Sequence, residues 1–328
     1  MAKVFIDGEA GTTGLRLSER LSKRPDVELI HIDERLRKDA ETRADCIARA
    51  DVSFLCLPDE SAKEIAEVVK DIDCRIIDCS TAHRTAPGWV YGMPELAGSS
   101  KGFSDSVGFI RESDKRVSNP GCHATGFIMA VKPLIDSRFL DPEAELSVYS
   151  LTGYSGGGKS MIADFDEYRD THGEVVRAPM RYALGQAHKH LPEMLKYSGL
   201  KSAPVFSPIV CDYYSGMLVS VPLPRSALRT GASAKAVREE LAAFYGGNPL
   251  VKVRETGYEF SEAAGDGYLS ADVFAGRDDI EIFVTGNDDR IEIVSRYDNL
   301  GKGASGAAIQ NMNVLLGLPE ETGLALGD

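Results

Sequence analysis

The chain has 328 residues, 43% hydrophobic and 27% charged, with no biased tract. That suits about two globular domains at about 150 residues each and excludes collagen-like, coiled-coil and wholly disordered chains. The formal charge of −13, from 37 Lys and Arg against 50 Asp and Glu, speaks against a general binder of nucleic acid or anionic membrane, whose affinity comes from clustered cations. A cleft with a few basic residues can still hold a phosphate.

The opening segment meets Asp7 and Gly8 before an apolar h-region forms, so no signal peptide is expected. No run approaches the about 20 apolar residues of a membrane span. Cys46, Cys56, Cys74, Cys79, Cys122 and Cys211 include no Cys-x-x-Cys pair, and no His cluster beside Cys74 and Cys79 completes a zinc set. Free thiols in a chain this long fit a reducing cytosol, so a cytoplasmic protein without a metal is expected.

Strands are expected at Lys3–Ile6, Val27–Ile32, Val52–Leu57 and Cys74–Ile77, with helices at Thr13–Lys23, Glu41–Arg49 and Ser61–Val69 between them. Strands alternating with helices mean a doubly wound, Rossmann-type parallel sheet with right-handed crossovers. Gly88–Lys101 is rich in Gly, Pro and Ser and reads as irregular connection. Strand patterns resume at Leu146–Leu151, Leu218–Val221, Ile280–Val284 and Ile291–Ser295, the last two joined by a turn at Asn287–Asp289. The second domain is therefore expected to be an α+β layer. The Ala-rich tail Ala304–Leu316 reads as a helix that must be buried.

Gly8, Gly11 and Gly14, with Thr12 and Thr13 between them, follow the first strand and open the first helix. The G-x-x-G-x-x-G spacing is a variant of the dinucleotide-binding loop, in which glycines admit a pyrophosphate to the backbone and the helix N-terminus faces it. Asp33, 19 residues after Gly14, suits the ribose hydroxyls of NAD. Arg35 and Arg37 follow it directly and suit the 2′-phosphate of NADP. Gly153–Ser160 matches the P-loop pattern G-x-x-x-x-G-K-[ST] after a strand and before a helical stretch. An NTPase needs a later strand ending in an acid; the strands beyond residue 160 end in Pro222 and Thr285. An anion-holding loop using Ser155 and Lys159 is the stronger reading of that segment.

Pro120-Gly121-Cys122 leads into an apolar helix running to Ile135, placing Cys122 at its N-terminus. The dipole and free N–H groups there favour a thiolate nucleophile. The other five cysteines read as small buried hydrophobes. His188 and His190, with Glu193 close by, offer the base and its orienting acid. No further ligand at metal-binding spacing is apparent, and Pro192 argues against a regular helix aligning the three. A loop of surface histidines is the alternative.

These motifs together resemble the N-acetyl-gamma-glutamyl-phosphate reductases, in their shorter form and over nearly the whole chain. Pro120-Gly121-Cys122, Thr125-Gly126 and Pro133 resemble the active-site segment of that family. Tyr91-Gly92-Met93-Pro94-Glu95-Leu96, Ser155–Lys159 and His188-Lys189-His190 with Glu193 resemble three more of its segments. Asp298–Ala304 and Gln310–Asn313 resemble its C-terminal stretch beside the cofactor. His123 stands where the family usually has an aromatic residue.

The resemblance implies an NADP-dependent oxidoreductase of arginine biosynthesis that works through a Cys122 thioester. It implies His188 as acid/base, His190 nearer the substrate phosphate, and oxyanion support from the Cys122 N–H and Asn119. Ser155, Lys159, Arg181 and Glu193 are expected at the substrate. Gly8, Gly11, Thr12, Thr13, Gly14, Arg35, Asn299 and Asn311 are expected at NADP. It also implies a cofactor domain over 1–118 rejoined by helix 303–328, a catalytic domain over 119–302, and a homodimer or homotetramer. The alternatives are an aspartate-semialdehyde dehydrogenase-type enzyme and, from a different class, the P-loop NTPase over 153–160.

Overall fold

Apolar runs alternating with helical stretches build a parallel sheet in the first part of the chain. The computed structural model describes residues 1–97, 110–255 and 267–327. The chain divides into two compact units, the first gathering the described residues of Met1–Pro94, Ser106–Pro120 and Ala304–Leu324. Its strands are β1 (Ala2–Asp7), β2 (Val27–Ile30), β3 (Val52–Leu55), β4 (Ile76–Asp78), β5 (Val90–Tyr91) and β6 (Arg116–Ser118). They lie in the order β2-β1-β3-β4-β6-β5, every pair parallel.

Helices α1 (Thr12–Leu21), α2 (Ala40–Arg49) and α3 (Asp59–Val68) are the crossovers. Alternate residues of β1 serve opposite faces: Val4 and Ile6 pack with Leu17 and Leu21, while Phe5 packs with Ile47 and Ile65. Every residue of β3 is buried, as a strand covered on both faces requires. Asp39 caps α2, its carboxylate accepting from the Thr42 amide at 2.8 Å. Within the stretch expected to be irregular, β5 and a short 3₁₀ turn at Pro94–Ala97 form; residues 98–101 of it lie outside the described residues.

The second unit holds β7 (Ser147–Gly153), β8 (Met180–Arg181), β9 (Val205–Cys211), β10 (Met217–Leu223), β11 (Val251–Val253), β12 (Ile280–Asn287) and β13 (Arg290–Tyr297). The sheet is mixed, in the order β11-β12-β13-β10-β7-β9-β8, with β7–β9 and β11–β12 parallel and the remaining pairs antiparallel. Its helices are α4 (Cys122–Asp136), α5 (Gly158–His172), α6 (Leu191–Ser198) and α7 (Ala234–Tyr245).

Apolar almost all round, α4 is buried from Ala124 to Val131 and packs against α6, α7, β10 and β13. Pro133 lies within it and gives no N–H to the Met129 carbonyl one turn back. The Tyr245 hydroxyl of α7 donates to that carbonyl instead, at 2.7 Å. Pro192 sits in the first turn of α6, where its missing N–H has no helical partner to lose. Helix α6 takes in Glu193 but starts after His188 and His190, so no regular helix aligns the three, as expected.

Helix α8 (Gly306–Leu315) belongs to the first unit. Ala308, Ile309, Met312 and Leu315 join the Val4 and Ile6 side of its core. The buried amide N–H groups of Asn311 and Asn313 in α8 find partners, while Asn311 Oδ1 meets no donor among the described residues. Asn311 donates to the Gly92 carbonyl at 2.9 Å and to Asn119 Oδ1 at 3.1 Å. Asn313 accepts from Arg24 at 2.8 Å and donates to the Glu320 and Thr322 carbonyls at 2.9 Å.

Candidate active site

The chain passes from the first unit to the second between Pro120 and Gly121, so Cys122 is the first residue of α4. Gly121 caps α4 in an extended conformation without a side-chain hydrogen bond, and its amide donates to Glu193 Oε2 at 3.0 Å. The Tyr297 hydroxyl donates to the Cys122 carbonyl at 2.5 Å and accepts from the Gly126 amide at 3.1 Å. One phenol thus bridges two groups one helical turn apart and fixes the turn that carries the thiol. Gly303 passes so close that a Cβ there would lie 2.9 Å from Cys122 Cβ. Beside it, Lys302 and Glu95 form a buried ion pair.

Three imidazoles gather at this turn. The ring centroids of His188 and His190 are 4.7 Å apart, and that of His123 lies 5.4 Å from His190 and 5.7 Å from His188. His123 is 3% exposed, with Nδ1 2.6 Å from Ser150 Oγ and Nε2 2.7 Å from the Tyr182 hydroxyl. Burial, helped by the nearby His188 and Lys189, pulls its pKa down to about 3, so it is neutral. Burial and the Cys122 charge push the Tyr182 phenol well up, so it keeps its proton to donate.

His188 Nδ1 accepts from the His190 amide at 3.2 Å, which places the proton of the neutral ring on Nε2. His190 Nε2 stands 3.9 Å from Glu193 Oε1, and Glu193 is 1% exposed. Side-chain donor atoms of Cys122, His123 and His190 all lie within 4.8 Å of one another. This arrangement fits a nucleophilic thiol with a proton donor close by.

The other residues expected at the substrate are placed unevenly. Ser155 is buried, and its Oγ accepts from Asn299 Nδ2 at 3.1 Å, while Asn299 Oδ1 accepts from the Gly216 amide at 2.9 Å. Asn299, expected at the cofactor, is thus tied to the Ser155 loop. Lys159 and Arg181 are exposed. In the P-loop-like segment 153–160 the first three amides are already committed. The amides of Gly153, Tyr154 and Ser155 donate to the carbonyls of Gly216, Tyr213 and Tyr214, leaving them no phosphate to cradle.

In the first unit, Gly8 has φ +87°, and a Cβ there would lie 2.3 Å from the Cys56 carbonyl oxygen, so only glycine fits the turn. Gly11 caps α1, whose first turn carries no acid and receives no side-chain cap. Its N–H groups suit a pyrophosphate, and Thr12 and Thr13 stand half-buried there. The adjoining cavity, about 950 Å³, is lined by Gly8, Gly11, Arg37, Lys38 and Arg43 among others. A dinucleotide fits this loop, and Arg37 and Lys38 suit an additional phosphate, with Asp7, Glu9, Glu34 and Glu64 lining the same cavity.

Arg35, expected here, is not among the lining residues. Asp33 accepts from the Arg35 amide at 2.9 Å, closing a local turn. Asp7 takes a buried ion pair from Arg43 at 2.7 Å, while desolvation holds its pKa above the usual carboxylate value. Asn119 and Asn311 lie in the buried amide network of α8, with Asn119 Nδ2 donating to the Ala304 carbonyl at 3.0 Å. Arg84, which the sequence reading passed over, donates to the Asn119 carbonyl at 3.0 Å. Ser150, Tyr182 and Tyr297 were likewise unmarked, because each lies in or beside a strand far from Cys122 in sequence.

Residues 3–101 match the family model described as "Semialdehyde dehydrogenase, NAD binding domain", and residues 122–299 match "Semialdehyde dehydrogenase, dimerisation domain". The N-acetyl-gamma-glutamyl-phosphate reductase 2 of Nostoc sp. is 43% identical over 327 residues, covering 98% of this chain and 99% of that protein. The N-acetyl-gamma-glutamyl-phosphate reductase of Brucella ovis is 41% identical over 318 residues, covering 96% and 99%. Among solved structures, Vibrio cholerae aspartate semialdehyde dehydrogenase II superposes with TM-score 0.68 at 14% identity, covering 96% of this chain and 98% of that one. The Candida albicans aspartate semialdehyde dehydrogenase with NADP gives TM-score 0.65 at 17% identity, with the same coverage; these two likenesses show the fold. The protein is an oxidoreductase with a nicotinamide-dinucleotide domain, and it belongs to the semialdehyde dehydrogenase family, on the N-acetyl-gamma-glutamyl-phosphate reductase branch.

Proposed function

We propose that this enzyme converts N-acetyl-L-glutamyl 5-phosphate to N-acetyl-L-glutamate 5-semialdehyde and inorganic phosphate, with NADPH, in arginine biosynthesis. The observation that carries this reading is Cys122 at the head of α4 with His188, His190 and Glu193 gathered about it. The names of the full-length relatives supply the substrate. The cations Arg37 and Lys38 at the cofactor cavity support NADP over NAD.

The Cys122 thiolate, favoured by the α4 N-terminus, attacks the acyl carbon; the C–O bond to phosphate breaks and a thioester forms. NADPH, when bound, supplies the hydride for the second half of the reaction. His188 Nε2–H hydrogen-bonds to the carbonyl oxygen and steadies the negative charge that oxygen gains when the hydride arrives. In the collapse the C=O bond re-forms, the C–S bond breaks, and Cys122 leaves as thiolate. The amide of Cys122 steadies the oxyanion, with Asn119 as second candidate donor. Ser155, Lys159 and Arg181 are the candidate partners of the substrate's anionic ends. The matched dimerisation domain supports a homodimer or homotetramer, and the family's biosynthetic role supports a cytoplasmic location.

The test is the reverse reaction with N-acetylglutamate 5-semialdehyde, followed by reduced-nicotinamide absorbance. Reduction of NADP that requires inorganic phosphate and is lost in Cys122→Ser is the expected result. Activity only with aspartate semialdehyde, or turnover surviving in Cys122→Ser, would overturn the reading.

A further inference from the structure

We propose that Cys122, His123 and His190 form a thiolate–imidazole site for zinc(II), which occupies the nucleophile and switches the enzyme off reversibly. The proposal does not depend on which acyl phosphate the enzyme reduces. Two of the donors are the first residues of α4, and the third ends the loop before α6. All three donor atoms lie within 4.8 Å of one another. Tetrahedral zinc, with bonds of about 2.3 Å to sulfur and about 2.0–2.1 Å to nitrogen, sets its donors about 3.3–3.6 Å apart. A pair at 4.8 Å therefore closes by about 1.2–1.5 Å.

The chemistry of the surroundings favours the metal. Both imidazoles are 3% exposed, which keeps competing water from the two nitrogen donors. Metal binding exchanges one of the two hydrogen bonds of His123. The other, to Ser150 or Tyr182, fixes the ring as the outer partner of a zinc-bound histidine does. Glu193, 3.9 Å from His190 Nε2, places a carboxylate beside the cation. Cys122 is only half-buried, which leaves the fourth position to water. The step balances: the Cys122 S–H bond breaks, an S–Zn bond forms, and one proton goes to solvent.

Cobalt(II) added to the metal-free full-length enzyme under reducing conditions reads the site directly, through the thiolate-to-cobalt charge-transfer band and the intense visible bands of tetrahedral coordination. One equivalent is expected to develop the band, and zinc(II) to bleach it by competition. Cys122→Ser is expected to abolish the band, and His123→Phe and His190→Gln to weaken binding at least about tenfold. Activity should fall in step with zinc occupancy and return with EDTA. His123→Gln, which keeps a polar group in the pocket, serves if the phenylalanine variant does not fold. A folded wild type without the band, a band that survives Cys122→Ser, or unchanged affinity in both His123 variants would each overturn the site. Because the titration needs neither substrate nor cofactor, its failure is separate from failure of the reductase assay.

Discussion

His123 is held uncharged by its burial, and that ties the stability of the second unit to pH. Its pKa falls from 6.5 to about 3 on folding, so between those values the unfolded chain binds a proton that the folded chain does not. Stability is then complete above about pH 6.5 and is lost as pH falls toward 3, by up to about 1.4 kcal/mol per pH unit. Urea midpoints measured with EDTA at neutral pH and near pH 5 should separate strongly in the wild type and less in His123→Phe. Gly303 makes a second prediction at this scale. A methyl group there presses on Cys122 Cβ at 2.9 Å, and displacing a nucleophile by about 1 Å costs about 100-fold in rate. Gly303→Ala should therefore lower kcat by about 10- to 100-fold while the dissociation constant of NADP stays near its wild-type value. Cys122 could be singled out in the sequence because Pro120 and Gly121 announce a helix start. Ser150, Tyr182 and Tyr297 could not, since β7, β8 and β13 bring them to α4 only after folding.

Among the elements, α4 shows how a helix keeps a proline close to a reactive end. The Met129 carbonyl, deprived of a donor by Pro133, relies on the Tyr245 hydroxyl at 2.7 Å. Tyr245→Phe leaves that buried acceptor unsatisfied and should cost about 1–3 kcal/mol. In urea denaturation this should appear as a lower midpoint with an unchanged m-value. The strands of the parallel sheet were legible because a strand buried on both faces reads as a short apolar run, as Val52–Leu55 does. β9 was not, because Pro208 in its middle argues against an interior strand. Pro208 lies opposite Ser150 in β7, and its carbonyl takes the Tyr182 amide at 3.1 Å. The strand thus keeps its acceptor while giving no donor. β5 and β8 have two residues each, too short to show a period.

At the scale of the whole molecule, a net charge of −13 repels an anionic dinucleotide, and the local cations must outweigh that field. Arg37, Lys38 and Arg43 line the cofactor cavity; Arg43 is held in a buried pair with Asp7, whereas Arg37 makes an exposed pair with Glu34 at 3.5 Å, so Arg37 and Lys38 are the pair to exchange. The double variant Arg37→Ala/Lys38→Ala should raise the dissociation constant of NADP by about 10- to 100-fold, about 1.4 kcal/mol for each factor of ten, and leave that of NAD nearly unchanged. Nucleotide titrations at low and high salt check this, the difference shrinking as salt screens it. NADP at 100 times its dissociation constant should stabilise the first unit by about 2.7 kcal/mol, seen as slower amide hydrogen exchange in β1 and α1.

The packing of α8 against Val4 and Ile6 also sets a schedule for the newborn chain. Strand β1 is synthesised long before α8, and its core cannot be completed until that helix has been made. At about 5–20 residues per second, the stretch from Pro120 to Gly306 takes about 10–40 s to synthesise. Throughout that interval the Val4 and Ile6 side of β1 has α1 against it but lacks α8 and is a natural substrate for a holding chaperone. A message cut short before α8 yields a chain whose nucleotide-binding unit lacks a helix of its own core and is open to proteolysis.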